Sequence, residues 1–72
     1  ADKELVRTAV SQDGTALAFA SQSLRGDKDI VKVAYLQNPN SIRFASDDLR
    51  HDRGFVKDIY IESKQYKRSV SG

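Results

Sequence analysis

The chain has 72 residues, 39% of them hydrophobic, with 12 Lys and Arg against 10 Asp and Glu, one His, and no Cys, Met or Trp. That length holds one small domain at most. Without Cys there is no disulfide scaffold, thiol nucleophile or Cys-ligated metal centre, and the lone His51 rules out multi-histidine zinc sites.

No apolar run nears the roughly 20 residues of a membrane span, and no signal-peptide pattern is present. Cytoplasm is therefore the expected compartment, with no membrane partner. The chain opens at Ala1 rather than Met and reads as a piece of a longer polypeptide. Its net charge of +2 is unevenly spread. Residues 1–51 balance seven basic against seven acidic side chains, whereas residues 52–72 carry five basic ones against Asp52, Asp58 and Glu62. So small an excess argues weakly for nucleic acid, which calls for a dense basic stripe.

In chain order, Leu5, Val6, Ala9 and Val10 recur at i, i+1, i+4 and i+5, one face of a helix that Asp2 is placed to cap. Asp13-Gly14 then caps a second helix, predicted to run through Leu17, Ala20 and Leu24 at spacing 0, 3, 7. Gly26 is expected in a left-handed C-terminal turn, with Asp27 capping the next helix at once.

From Asp27 the sequence repeats. Residues 2–26 align with 27–51, and ten positions are identical: Asp2, Lys3, Val6, Ala9, Gln12, Phe19, Ala20, Ser21, Leu24 and Arg25 with their mates 25 residues on. Unrelated segments of that length would share roughly one or two. The joint becomes Asn38-Pro39, where Asn caps and Pro is tolerated at the first helical position. The helix after it is predicted through Ile42, Ala45 and Leu49, with His51 less comfortably in the Gly26 place. Val33 and Leu36 replace the outward Thr8 and Ser11, so Ile30 to Leu36 is apolar nearly all round, as suits a helix flanked on both sides.

A third copy starts at Asp52 with Phe55, Val56, Ile59 and Tyr60, then decays at Lys67 and Ser69. Residues 52–70 read as one longer polar closing helix, or two with a soft joint at Ser63.

These units share a wording: Asp-Lys-acid-apolar-Val, then Ala, Gln-Asp/Asn, Leu/Ile-x-Phe-Ala-Ser and Leu-Arg. Over about residues 2–60 that wording resembles the domain of unknown function 4116 family. The resemblance implies tandem helical units within larger proteins and supplies no catalytic residue to carry over. Pro39, where such repeats often show Gly, and the loss of pattern after Tyr60 are departures from it.

Few residues suggest chemistry. His51 lies between Arg50 and Asp52, but a general base needs a nucleophile and a pocket. At a helix C-terminus a cation simply suits the dipole. Asp47, Asp48 and Asp52 lack the Gly-bearing loop and ligand count that Ca²⁺ takes, and read as solvated helix-end acids. Phe19 and Phe44 sit on the shoulder of their apolar stripes, suited to packing between repeats or to lining a groove that takes a partner. Lys57, Tyr60, Lys64, Tyr66, Lys67 and Arg68 put a basic edge with aromatic faces on the last helix, suited to phosphates and bases or simply to solvent.

The expected fold is all-α: tandem helix-hairpin repeats of 25 residues in one domain over 1–72. Two full units, 2–26 and 27–51, are followed by a partial unit 52–70 that forms a longer C-terminal capping helix. The expected role is non-enzymatic, a protein-interaction or scaffold segment with a protein partner, acting as a monomer or packed on neighbouring repeats of its parent chain. The alternatives are a nucleic-acid-binding domain using the basic last helix, or a structural spacer. No cofactor or metal ion is expected, and the candidate contact residues are Phe19, Phe44, Lys57, Tyr60, Lys64, Lys67 and Arg68.

Overall fold

The computed structural model describes residues 3–71, with side chains over 3–65. The proposed cap at Asp2 and the side chains of Tyr66, Lys67, Arg68 and Ser69 lie outside the described residues. The chain is all-α. Helix α1 (Lys3–Gln12) leads into a 3-10 helix, η1 (Gly14–Phe19), and a single α-turn, α2 (Gln22–Arg25). Then follow α3 (Lys28–Gln37), the 3-10 helix η2 (Pro39–Phe44), the single turn α4 (Asp47–Arg50) and the long α5 (Arg53–Ser71). Each of the first three elements recurs 25 residues later.

The joints are made by short polar side chains. Asp13 Oδ1 accepts from the Thr15 N–H at 3.0 Å and from the Thr15 hydroxyl at 2.6 Å. In the second unit Asn38 Oδ1 accepts from the Asn40 N–H at 3.0 Å, with Pro39 opening η2. Asp27 Oδ1 holds the Asp29 and Ile30 N–H groups, and Asp52 Oδ1 that of Phe55. Each side chain satisfies a helix-start donor that has no partner within its own helix.

Two expectations about these joints need correction. The second helix of each unit is split: Ala20 and Ala45 are extended (ψ 159°), and Ser21 and Ser46 start a fresh α-turn. A 3-10 helix has three residues per turn, so Leu17 and Ala20 share a face there just as they would at α spacing. Gly26 is not left-handed. Its φ of −98° matches the −93° of His51, so His51 is under no strain in the equivalent place. The closing helix is the single longer one expected: α5 runs unbroken through Ser63, whose hydroxyl donates back to the Tyr60 carbonyl at 2.9 Å, so the alternative joint there does not form.

Helix α3 lies at the centre, against α1 and η1 on one side, its own η2, and α5 beyond. It buries Ile30, Val31, Ala34 and Tyr35, as its nearly all-apolar run requires. These join Val10, Leu17, Ala45 and Leu49 in the interior, with Val6, Leu24, Ile42, Phe44 and Phe55 half-buried around them. Burying one such side chain fully contributes about 1.5–3 kcal/mol. Ile59 closes the α5 side. No helix among the described residues is long and apolar enough to cross a membrane.

Candidate interaction surface

The two units present equivalent side chains to unequal surroundings. Ile30 and Ala34 are fully buried, whereas their mates Leu5 and Ala9 are exposed, Leu5 at 70%. Phe44 packs against the core and lines a pit with Gln22 and Arg25 of the first unit, but its mate Phe19 is 91% exposed. Leu5, Val6, Ala9, Ala16, Phe19 and Ala20 together line an open groove of about 340 Å³. Helix α1 supplies one wall at i, i+1, i+4 spacing. The 3-10 geometry of η1 supplies the other, because residues three apart eclipse and place Ala16 directly in line with Phe19.

Of the residues singled out from the sequence, Phe19 and Phe44 thus occupy separate depressions. Val10, on the same helix face as Leu5 in the sequence, is fully buried. On α5 the Lys64 ammonium sits 5.2 Å over the Tyr60 ring, and the two share a pit with Tyr35, Leu36 and Pro39. Lys57, seven residues before Lys64 and so on the same helix face, is exposed. Lys67 and Arg68 fall beyond the described side chains.

Ionic contacts stitch one unit to the next. Lys3 Nζ reaches Asp27 at 3.1 Å, and its mate Lys28 reaches Asp52 at 3.8 Å. Arg7 pairs with Asp29 at 3.4 Å. The mate of Asp29 in the third copy is Gly54, so Lys32, the mate of Arg7, turns instead to Glu62 at 3.1 Å. Asp27 therefore serves as both cap and ion-pair acceptor. Partial burial favours its protonated form, but the Lys3 ammonium and the Asp29 and Ile30 N–H groups outweigh that and hold its carboxyl below the usual range. Asp13 is held low mainly by the Thr15 hydroxyl.

Sequence reasoning missed one contact. Gln37 Oε1 accepts from the Gly14 N–H at 2.7 Å, while its Nε2 donates to the Gln12 carbonyl at 3.2 Å. One side chain thus clamps both sides of the first unit's joint. A signal existed: Gln12 and Gln37 are identical between units, yet lie on no apolar stripe. Pro39 offers no N–H at the equivalent joint, and Glu62 stands in the clamp position.

Two of the carboxylates around His51 are occupied elsewhere. Asp47 pairs with Arg50 at 3.1 Å, and Asp52 caps α5 and meets Lys28. His51 itself ends α4, exposed. Among the described residues no group of three acidic or histidine side chains is arranged to hold a metal ion.

The helical units carry the pattern of one family: its model, a domain of unknown function, matches residues 2–50. This chain belongs to the domain of unknown function 4116 family. No curated protein and no solved structure matches it.

Proposed function

We propose that the chain is a non-enzymatic protein-interaction or scaffold module, and that its first unit carries the contact face. The observation behind this reading is the groove of Leu5, Val6, Ala9, Ala16, Phe19 and Ala20. Six apolar side chains line it, while the mates of Leu5, Val6 and Ala9 are buried in the second unit. A contiguous exposed apolar surface is the usual mark of a protein-binding site. The charges are mostly spent on structure, as caps or as pairs between units.

The test is a photo-reactive residue placed in turn at Phe19, Phe44 and Lys64, irradiated in lysate of the source organism. Protein adducts from position 19 that a Leu5→Ser change abolishes support the reading. Nucleic-acid adducts from position 64 that fall steeply with salt would replace it with the basic-helix alternative. Adducts from no position would leave a spacer.

A further inference from the structure

We propose that the pit between the two units binds a small zwitterion of amino-acid or dipeptide size, its carboxylate held by Arg25 and its ammonium by Asp48. The site is separate from the Leu5–Phe19 groove and goes beyond the interaction reading. Comparing the units shows why Arg25 is available. Its mate Arg50 pairs with Asp47, three residues earlier, at 3.1 Å and also donates to the Arg43 carbonyl at 3.5 Å. Gln22 stands in the Asp47 place ahead of Arg25, so the first unit lacks that carboxylate. The Arg25 Nε is buried yet has no acceptor among the described residues. A desolvated donor without an acceptor is costly, and a ligand carboxylate removes that cost through a charge-assisted bond.

Arg25 does not stand alone. Gln22, Phe44, Ser46 and Asp48 line the same pit of about 320 Å³, at the lower end of the range for small-molecule sites. The Ser46 N–H donates to the Arg25 carbonyl at 3.0 Å and ties the two walls together. Ser21 spends its hydroxyl on a cap, whereas its mate Ser46 makes no side-chain cap bond and keeps its hydroxyl for a ligand. The charges then select the ligand class. Asp47 and Asp48 on the α4 wall repel phosphate or any other bare anion. Asp47 is paired with Arg50, but the exposed Asp48 has no bonded partner among the described residues. A ligand with both charges answers both walls. A lone anion or cation answers one and is left facing a like charge.

The test titrates the whole 72-residue chain and follows its amides by two-dimensional NMR. The probes, one at a time, are the free amino acids, alanyl-phenylalanine and phenylalanyl-alanine. At least one should shift the amides of residues 22, 25, 44, 46 and 48 saturably, with a Kd below about 1 mM. Blocking that probe's amine by acetylation, or its carboxylate by amidation, should each weaken binding at least about tenfold. Arg25→Gln and Asp48→Asn should do the same, while Arg53→Gln, an equal loss of charge at an exposed place on α5, should not. Gln22→Asp supplies the carboxylate that occupies Arg50 in the second unit and should abolish binding with Arg25 intact, whereas Gln22→Asn should retain it. Circular dichroism checks the fold of each variant, and the exposed Asp48 keeps the test open if Arg25→Gln does not fold. The proposal is overturned if no probe saturates these amides, or if the acetylated probe or inorganic phosphate binds as tightly as the zwitterion. An affinity unchanged by Asp48→Asn also overturns it. None of these outcomes bears on the Leu5–Phe19 groove.

Discussion

Gly14 passes beneath the end of α3 so closely that a β-carbon on it would stand 2.5 Å from the Ala34 carbonyl oxygen. The obstacle is backbone, which cannot rotate away. Gly14→Ala should therefore destabilise the chain by about 1–3 kcal/mol through overpacking. At Gly26 the nearest atom to a new β-carbon is the Ser46 hydroxyl at 3.3 Å, and φ is already right-handed. Gly26→Ala should leave stability within about 0.5 kcal/mol of wild type. Urea unfolding of the two variants side by side checks the contrast, and equal losses would refute it.

The Gln37 clamp predicts a second asymmetry. Gln37→Ala leaves the Gly14 N–H, in a buried residue, without an acceptor, which should cost about 1–3 kcal/mol. Amide exchange at Gly14 should rise in step. Gln12→Ala removes no side-chain hydrogen bond made among the described residues and should be silent in both measurements.

Ser41 is fully buried, and among the described residues its hydroxyl has no hydrogen-bond partner. The first unit holds Ala16 at that place. Removing a desolvated, unpaired hydroxyl should raise stability, so Ser41→Ala is expected to gain about 1 kcal/mol. A loss of similar size in urea unfolding would mean that the hydroxyl is satisfied in solution.

Asp13 and Asp27 both have carboxyls held below their ordinary range. A depressed folded-state pKa adds stability that is complete above the unfolded value, about 3.9, and is lost as pH falls through the folded one. Unfolding curves should therefore be flat from neutral pH to about pH 5 and weaken below that. Asp27→Asn keeps a capping oxygen but removes the charge that Lys3 meets, so its acid limb should be shallower than that of wild type. An unchanged limb would mean that Asp27 contributes nothing to acid unfolding.

Helix class, unit length and the capping residues were legible because each rests on short-range chemistry that the sequence repeats. Asp27 and Asn38 cap where their neighbours lack partners, and Pro39 opens a helix where no N–H is needed. The split at Ala20 was not legible from apolar spacing, since a 3-10 turn followed by a new α-turn reproduces the 0, 3, 7 pattern. Ser21 was the clue: its side chain accepts from the Leu24 N–H at 3.3 Å as a helix-start cap, a role that a mid-helix reading denied it. The groove was half legible. Phe19 stood out, but Ala16 joins it only because η1 is a 3-10 helix.

The central claim is that the apolar side chains of the first unit's open face are not needed to fold the chain and are available to a partner. The most direct measurement compares urea unfolding of Phe19→Ser and Phe44→Ser, the same change at equivalent positions. Phe44→Ser should cost about 1–3 kcal/mol because its ring packs on the core. Phe19→Ser should change stability by less than about 0.5 kcal/mol. Equal losses at the two positions would mean that Phe19 is already part of the interior, and the open-face account would be wrong.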